Sequence, residues 1–155
     1  MTKIGVISDT HGLLRPEVVE KLRGSDYIIH AGDIGDPTIL DKLAELAPVT
    51  AVRGNVDREK WAHKIPETNV LEIAEISIYV LHDLHKLDLK PEKAGFAAVV
   101  YGHSHVPKQE TKSGVLYFNP GSAGPRRFRL PITVGRILLQ GSELHAEIIE
   151  LSRTT

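Results

Sequence analysis

The sequence predicts an α/β fold: a parallel βαβαβ unit, then a second sheet packed on the first with helices outside. Three observations predict it. In the first third, the apolar runs 3–7, 27–31 and 49–53 alternate with two amphipathic segments of helical length. From residue 69 onward apolar runs follow one another, separated by turn residues and not by long helical patterns. A chain of 155 residues, 41% of them hydrophobic, can bury a core without disulfides, so one domain over residues 1–155 is expected.

Each element has a local reason. The strand 3–7 runs into the polar group Ser8, Asp9, Thr10 and His11. Over 16–23, Pro16 suits a first helical turn, Val18, Val19 and Leu22 form one face, and Gly24 ends the helix. The strand 27–31 is closed by Gly32 and Asp33. Asp36 and Pro37 are an N-cap and N1 pair for a helix over 38–46, which Pro48 stops. The strand 49–53 is closed by Gly54 and Asn55. Segments 69–74 and 76–81 read as an antiparallel pair, the second ending at His82. The buried strand 97–101 ends at Gly102, His103, Ser104 and His105. Ser113-Gly114 joins 108–111 to 115–118 as a hairpin, and Gly141-Ser142 joins 132–139 to 144–151 as another.

Composition narrows the function. Nineteen basic against twenty acidic residues give a net charge of -1, which excludes a generally basic nucleic-acid coat and a polybasic membrane anchor. With no cysteine, thiolate metal sites and disulfides are impossible, so any metal must be held by His, Asp, Glu, Asn or backbone oxygen. The apolar runs are too short for a signal-peptide core or a membrane span, so the expected location is cytoplasmic. Three Phe, four Tyr and one Trp, none clustered, offer no stacking platform for single-stranded nucleic acid.

The polar residues that end apolar strands are Asp9, His11, Asp33, Asn55, His82, His103 and His105. Parallel sheets collect ligands at their carboxyl ends. Two carboxylates, one amide and four imidazoles suit two divalent ions such as Mn²⁺, Fe or Zn²⁺. Two ions about 3.5–4 Å apart clamp a phosphate and activate a bridging water. Residues i and i+2 of an extended segment point the same way, so Asp9 with His11, and His103 with His105, are expected to converge in extended loops. Gly102 would let the backbone approach closely, and Gly32 and Gly54 would allow sharp turns. Singly, each motif reads as strand-end capping or a turn; five together in this context do not.

The order Asp9-x-His11, Gly32-Asp33, Gly54-Asn55-x-Asp57, His82, Gly102-His103-Ser104-His105 resembles the calcineurin-like metallophosphoesterases, and most of all their small bacterial and archaeal phosphodiesterase branch. The likeness extends to Asn119-Pro120-Gly121-Ser122. It implies a four-layer α/β/β/α sandwich with two packed mixed sheets and a dinuclear centre whose bridging hydroxide attacks small phosphodiesters. It further implies that Asp9, His11, Asp33 and His105 hold one ion and that Asp33, Asn55, His82 and His103 hold the other. Asp33 would bridge, and Asn55 and His103 would contact the phosphoryl oxygens. Mn²⁺ is the expected metal, with Ni²⁺, Fe²⁺ or Zn²⁺ as alternatives. The alternative functions are a phosphomonoesterase of the same fold and a non-catalytic scaffold, since the superfamily includes a retromer subunit that serves as an interaction platform. A nuclease would need a basic groove, which is not evident. A homo-oligomer stays open.

Two positions depart from the pattern. Many relatives carry His directly after the Asn, assigned to the leaving group; here it is Val56, which has no proton to give. Good leaving groups are therefore expected, because general-acid help is worth about 10²–10⁴-fold. Relatives often have His-Gly after the fourth strand, whereas this chain has His82-Asp83-Leu84-His85. His85 is weighed as a substitute acid against a surface histidine, and the surface reading is favoured. Asp57 is expected to hold a loop. His30 is read either as hydrogen-bonding a metal ligand or as a satisfied core histidine, and His63 and His145 as solvated. Arg126, Arg127 and Arg129 form the one basic cluster, read as a solvated loop with Arg126 nearest a phosphate role. Arg53 is balanced between substrate contact and edge packing.

Overall fold

A computed structural model describes residues 1–127 and 129–151. Two five-stranded mixed sheets face each other. Strands β1 (Thr2–Ile7), β2 (Tyr27–His30), β3 (Val49–Ala51), β9 (Thr133–Gln140) and β10 (Glu143–Glu150) form the first, in the order β10-β9-β1-β2-β3. Strands β4 (Thr68–Ile73), β5 (Ile76–Leu81), β6 (Ala98–Val100), β7 (Lys108–Lys112) and β8 (Val115–Asn119) form the second, in the order β4-β5-β6-β8-β7. Within the first sheet β1, β2 and β3 are parallel; within the second, β5, β6 and β8 are. Six strands thus discharge their carboxyl ends toward one end of the sandwich.

Alternation of side chains assigns the layers. Ile4 and Val6 of β1 enter the core between the sheets with Ile78, Val80, Val100 and Phe118, while Ile7 of the same strand packs beneath the helices. Helix α1 (Pro16–Leu22) buries Val18 and Leu22 there, and helix α2 (Pro37–Ala44) buries Ile39 and Leu43. As expected, Asp36 caps α2: its carboxylate accepts the Thr38 N–H at 2.9 Å. The outer face of the second sheet has a thinner cover. Tyr79, Leu81, Val99 and Tyr101 are packed by Leu84, Leu87, Leu89 and Phe96, from a segment holding only a 3-10 turn (Leu84–Lys86) and the one-turn helix α3 (Pro91–Ala94). The fourth layer is therefore mostly loop. Its apolar residues lack helical spacing, and Pro91 interrupts them.

The three hairpins form as expected. Ser113 and Gly114 both have positive φ, the geometry of a type I′ turn that matches the twist of β7 and β8. The final hairpin returns to the first sheet, where β9 runs antiparallel to β1. That return makes the first sheet mixed.

Candidate metal centre

All seven sequence-predicted site residues lie at the carboxyl ends of the parallel strands or in the loops that follow them. The structure sorts the carboxylates and imidazoles into two groups. Asp9, His11 and His105 offer ligand atoms within 4.8 Å of one another, and so do Asp33, His82 and His103. Asp33 stands between the groups, its Oδ2 being 3.1 Å from His82 Nε2 and 3.5 Å from His11 Nε2. Asp9 Oδ1 lies 3.4 Å from His105 Nε2 and 3.8 Å from His11 Nε2. Asn55 is exposed and lines a cleft together with His82 and His103.

The convergence does not come about as the spacing argument expects. His103 and His105 part company, one to each group. Nor are the loops extended. Asp9, His11, Asp33, His103 and His105 all adopt positive φ, between 45° and 73°. A left-handed non-glycine residue costs on the order of 1–3 kcal/mol and persists only where its surroundings impose it. Here tight left-handed turns, not a pleat, aim the side chains.

Cross-ties impose those turns. Ser8 Oγ donates to Asp9 Oδ2 at 2.7 Å, and the His103 N–H donates to the same oxygen at 3.1 Å, which joins the two sheets. A Cβ on Gly102 would strike Ser8 Oγ and Asp9 Oδ2, so only glycine lets that strand end approach. Gly54, unlike Gly32, has no positive φ; its lack of a side chain makes room for the backbone and carboxylate of Asp33. Asp57 is buried and accepts three backbone N–H groups, Ile34 and Gly35 at 3.0 Å and Gly54 at 2.9 Å. It thereby ties the loop after β2 to the loop after β3. His30 lies in the core with both ring nitrogens satisfied. Gly32 N–H donates to Nδ1 at 3.1 Å, and Nε2 meets the Thr10 hydroxyl at 3.0 Å. That hydroxyl donates to the Ile34 carbonyl, so the imidazole is neutral with its proton on Nε2, and burial pushes its pKa down to about 4.

The electrostatics show a cluster short of positive charge. Burial disfavours the Asp9 carboxylate, yet His105, His11, His82 and the Ser8 hydroxyl outweigh it and hold the group well below the usual range. Burial likewise opposes ionised Asp33, and His82 and the Val56 N–H overcome it. His82 is pulled up: burial opposes its charge, but Asp33 and Asp9 prevail. Meanwhile Asp9 Oδ1, His11 Nε2 and His82 Nε2 are buried with no hydrogen-bond partner among the described residues. His82 Nδ1 points at the Ala31 carbonyl, 2.8 Å away, so in the neutral ring the proton sits on Nδ1 and the Nε2 lone pair faces the carboxylates. Lone pairs converging in this way are what divalent cations satisfy, so the donor set fits a metal centre.

The other sequence candidates stand outside the two ligand groups. The His85 side chain is 95% exposed and hydrogen-bonded to Asp83, in keeping with a surface histidine. Arg126, Arg127 and Arg129 are exposed. Arg53 lines the cleft while its guanidinium donates to the Ile65 carbonyl and to Glu67. Sequence reasoning missed Ser8 and Thr10, whose partners are distant in sequence, and the cleft residues Glu67, Lys86 and Asp88, which carry no local signature.

The family model for the calcineurin-like phosphoesterase superfamily domain matches residues 2–142. A protein of Methanocaldococcus jannaschii named "Probable metallophosphoesterase" is 36% identical, over 96% of this chain and 81% of its own. A second protein of that organism, named as a phosphodiesterase, is 27% identical over 96% of this chain and 99% of its own. The solved structure of Vps29 from Chaetomium thermophilum superposes with a TM-score of 0.82, covering 99% of this chain and 93% of that one, at 20% identity; this likeness concerns the fold alone. Among the described residues no helix is long and apolar enough to cross a membrane. The chain belongs to the calcineurin-like phosphoesterase superfamily and is a metal-dependent phosphoester hydrolase.

Proposed function

We propose that the chain is a phosphodiesterase that hydrolyses small phosphodiesters at a dinuclear metal centre. One observation carries this reading: two groups of converging ligand atoms, with Asp33 standing between them, contain buried polar atoms that have no partner among the described residues. Asp9, His11, Asp33 and His105 would hold one ion; Asp33, Asn55, His82 and His103 would hold the other. Bound divalent ions would neutralise phosphate charge and acidify water. Mn²⁺ is the expected metal, with Ni²⁺, Fe²⁺ or Zn²⁺ as alternatives.

The chain's own residues do the rest. Asn55 and His103, both exposed, would contact the phosphoryl oxygens through the N–H groups that ion binding leaves free. The Val56 N–H fixes Asp33 Oδ1 at 3.1 Å, and the Ala31 carbonyl fixes the His82 ring. Val56 itself is 47% exposed and carries no proton for a departing alcohol. The enzyme therefore favours diesters whose alcohol is a good leaving group.

The test is hydrolysis of bis-p-nitrophenyl phosphate by metal-stripped protein with and without Mn²⁺, beside p-nitrophenyl phosphate as the monoester. Mn²⁺-dependent turnover with preference for the diester is expected. Preference for the monoester would make it a phosphomonoesterase. No turnover with any of the four metals would favour the non-catalytic scaffold.

A further inference from the structure

A cleft of ≈ 400 Å³ opens beside the second ligand group, with Asn55, His82 and His103 at its inner end. It is lined by Tyr79 and Leu81 of β5, by the Arg53–Glu67 pair, 3.2 Å apart, and by Asp83, Lys86 and Asp88, in and just after the 3-10 turn that follows β5. We propose that this cleft binds one substituent of the phosphodiester, and that the substituent is neutral and hydroxyl-bearing, of glyceryl or sugar type. The proposal rests on the phosphodiesterase reading, since the cleft begins where that reading seats the phosphoryl group.

The charge pattern selects this chemistry. A second anionic group would meet three carboxylates. An ammonium group would meet Arg53 and Lys86. A hydroxyl serves both signs, because it donates to Asp83 or Asp88 and accepts from Lys86. Hydrogen bonds from a hydroxyl to a carboxylate are about twice as strong as those between neutral groups. A purely apolar substituent would desolvate these charges without replacing their water. Lys86 and Asp88 make no ion pair among the described residues, so they are free to do this. Tyr79 also lines the cleft, and among the described residues its hydroxyl has no hydrogen-bond partner. The volume is within the range of small-molecule sites and far exceeds what a methyl or ethyl ester needs.

The test is calorimetric titration of Mn²⁺-loaded protein with four methyl phosphodiesters whose second substituent is glyceryl, propyl, carboxyethyl or aminoethyl. The glyceryl diester is expected to bind tightest, about tenfold tighter than the propyl diester. Asp88→Asn and, separately, Tyr79→Phe are expected to shrink that ratio severalfold; Tyr79→Phe removes only an unpartnered hydroxyl and leaves the packing of the ring intact. Equal binding of glyceryl and propyl, tighter binding of either charged diester, or an unchanged ratio in both variants overturns the proposal. Turnover of bis-p-nitrophenyl phosphate without glyceryl preference overturns the cleft assignment alone. Glyceryl preference without turnover overturns the catalytic reading and leaves the cleft standing.

Discussion

The two ends of the sandwich use the same backbone conformation for opposite purposes. At the hairpin end, Ala74 and Ser113 have φ of 52° and 51° and are exposed, and a Cβ added to Gly114 or Gly141 would meet nothing within 4 Å. At the ligand end, five of the seven candidate ligands have positive φ, and a Cβ at Gly54 or Gly102 would strike Asp33, Ser8 or Asp9. A left-handed residue at a hairpin tip solves a local problem, the reversal of two neighbouring strands. At the ligand end it is held by partners as far away as 94 residues in sequence, as between His103 and Asp9. Strain paired with long-range ties marks the functional end; strain alone does not.

This contrast breaks most completely at Asp33. Asp33→Ala is expected to lower phosphodiester turnover by more than about 100-fold, beyond what loss of an outer partner costs, and to leave fewer than two Mn²⁺ per chain in a calorimetric titration. Next is the tie between loops. Asp57→Ala strands three backbone N–H groups, so a loss of about 3 kcal/mol or more is expected in urea unfolding of the metal-free protein, together with weaker Mn²⁺ binding. A loss below about 1 kcal/mol would mean that water replaces the carboxylate.

His30 sharpens the comparison through pH. The fold holds this imidazole neutral with a pKa of about 4, below its unfolded value. The stability it confers is therefore complete above pH 6.5 and is lost as pH falls from there toward 4. Metal-free protein should lose about 2 kcal/mol through this group between pH 7 and pH 5, and His30→Gln should flatten that part of the urea-midpoint profile. The smallest effect belongs to the other end. Ala74→Gly relieves a left-handed alanine at an exposed tip and is expected to raise stability by about 1 kcal/mol or less, with turnover unchanged.

Most of the elements were legible because their signals are local. Pro16, Asp36-Pro37 and Pro48 bound the two helices of the first unit, and the turn pairs at 113–114 and 141–142 bound two hairpins. The loop cover over Tyr79 and Leu81 was not legible, because its leucines follow neither a 2-residue nor a 3.6-residue period. Asp57 was readable as a loop-holding residue from its place after Gly54-Asn55. Glu67, Lys86 and Asp88 were not, since nothing local separates them from solvated charges on an exposed turn.

The inventory at the strand ends, two carboxylates, an amide and four imidazoles, follows from residue types and their positions along the chain, and so does the family it resembles. Which imidazole joins which carboxylate does not follow. His103 and His105 are two residues apart yet serve different groups, because two consecutive left-handed turns rotate them apart and the His103 N–H is anchored on Asp9 across the sheets. The return of β9 beside β1, the hydrogen bond from the Ser122 hydroxyl to the Asp9 carbonyl and the cleft beside β5 also depend on packing between distant segments. Local sequence encodes dihedral preference and periodicity; the pairing of distant groups is decided by the packing of the two sheets and by the hydrogen bonds that buried polar atoms must find.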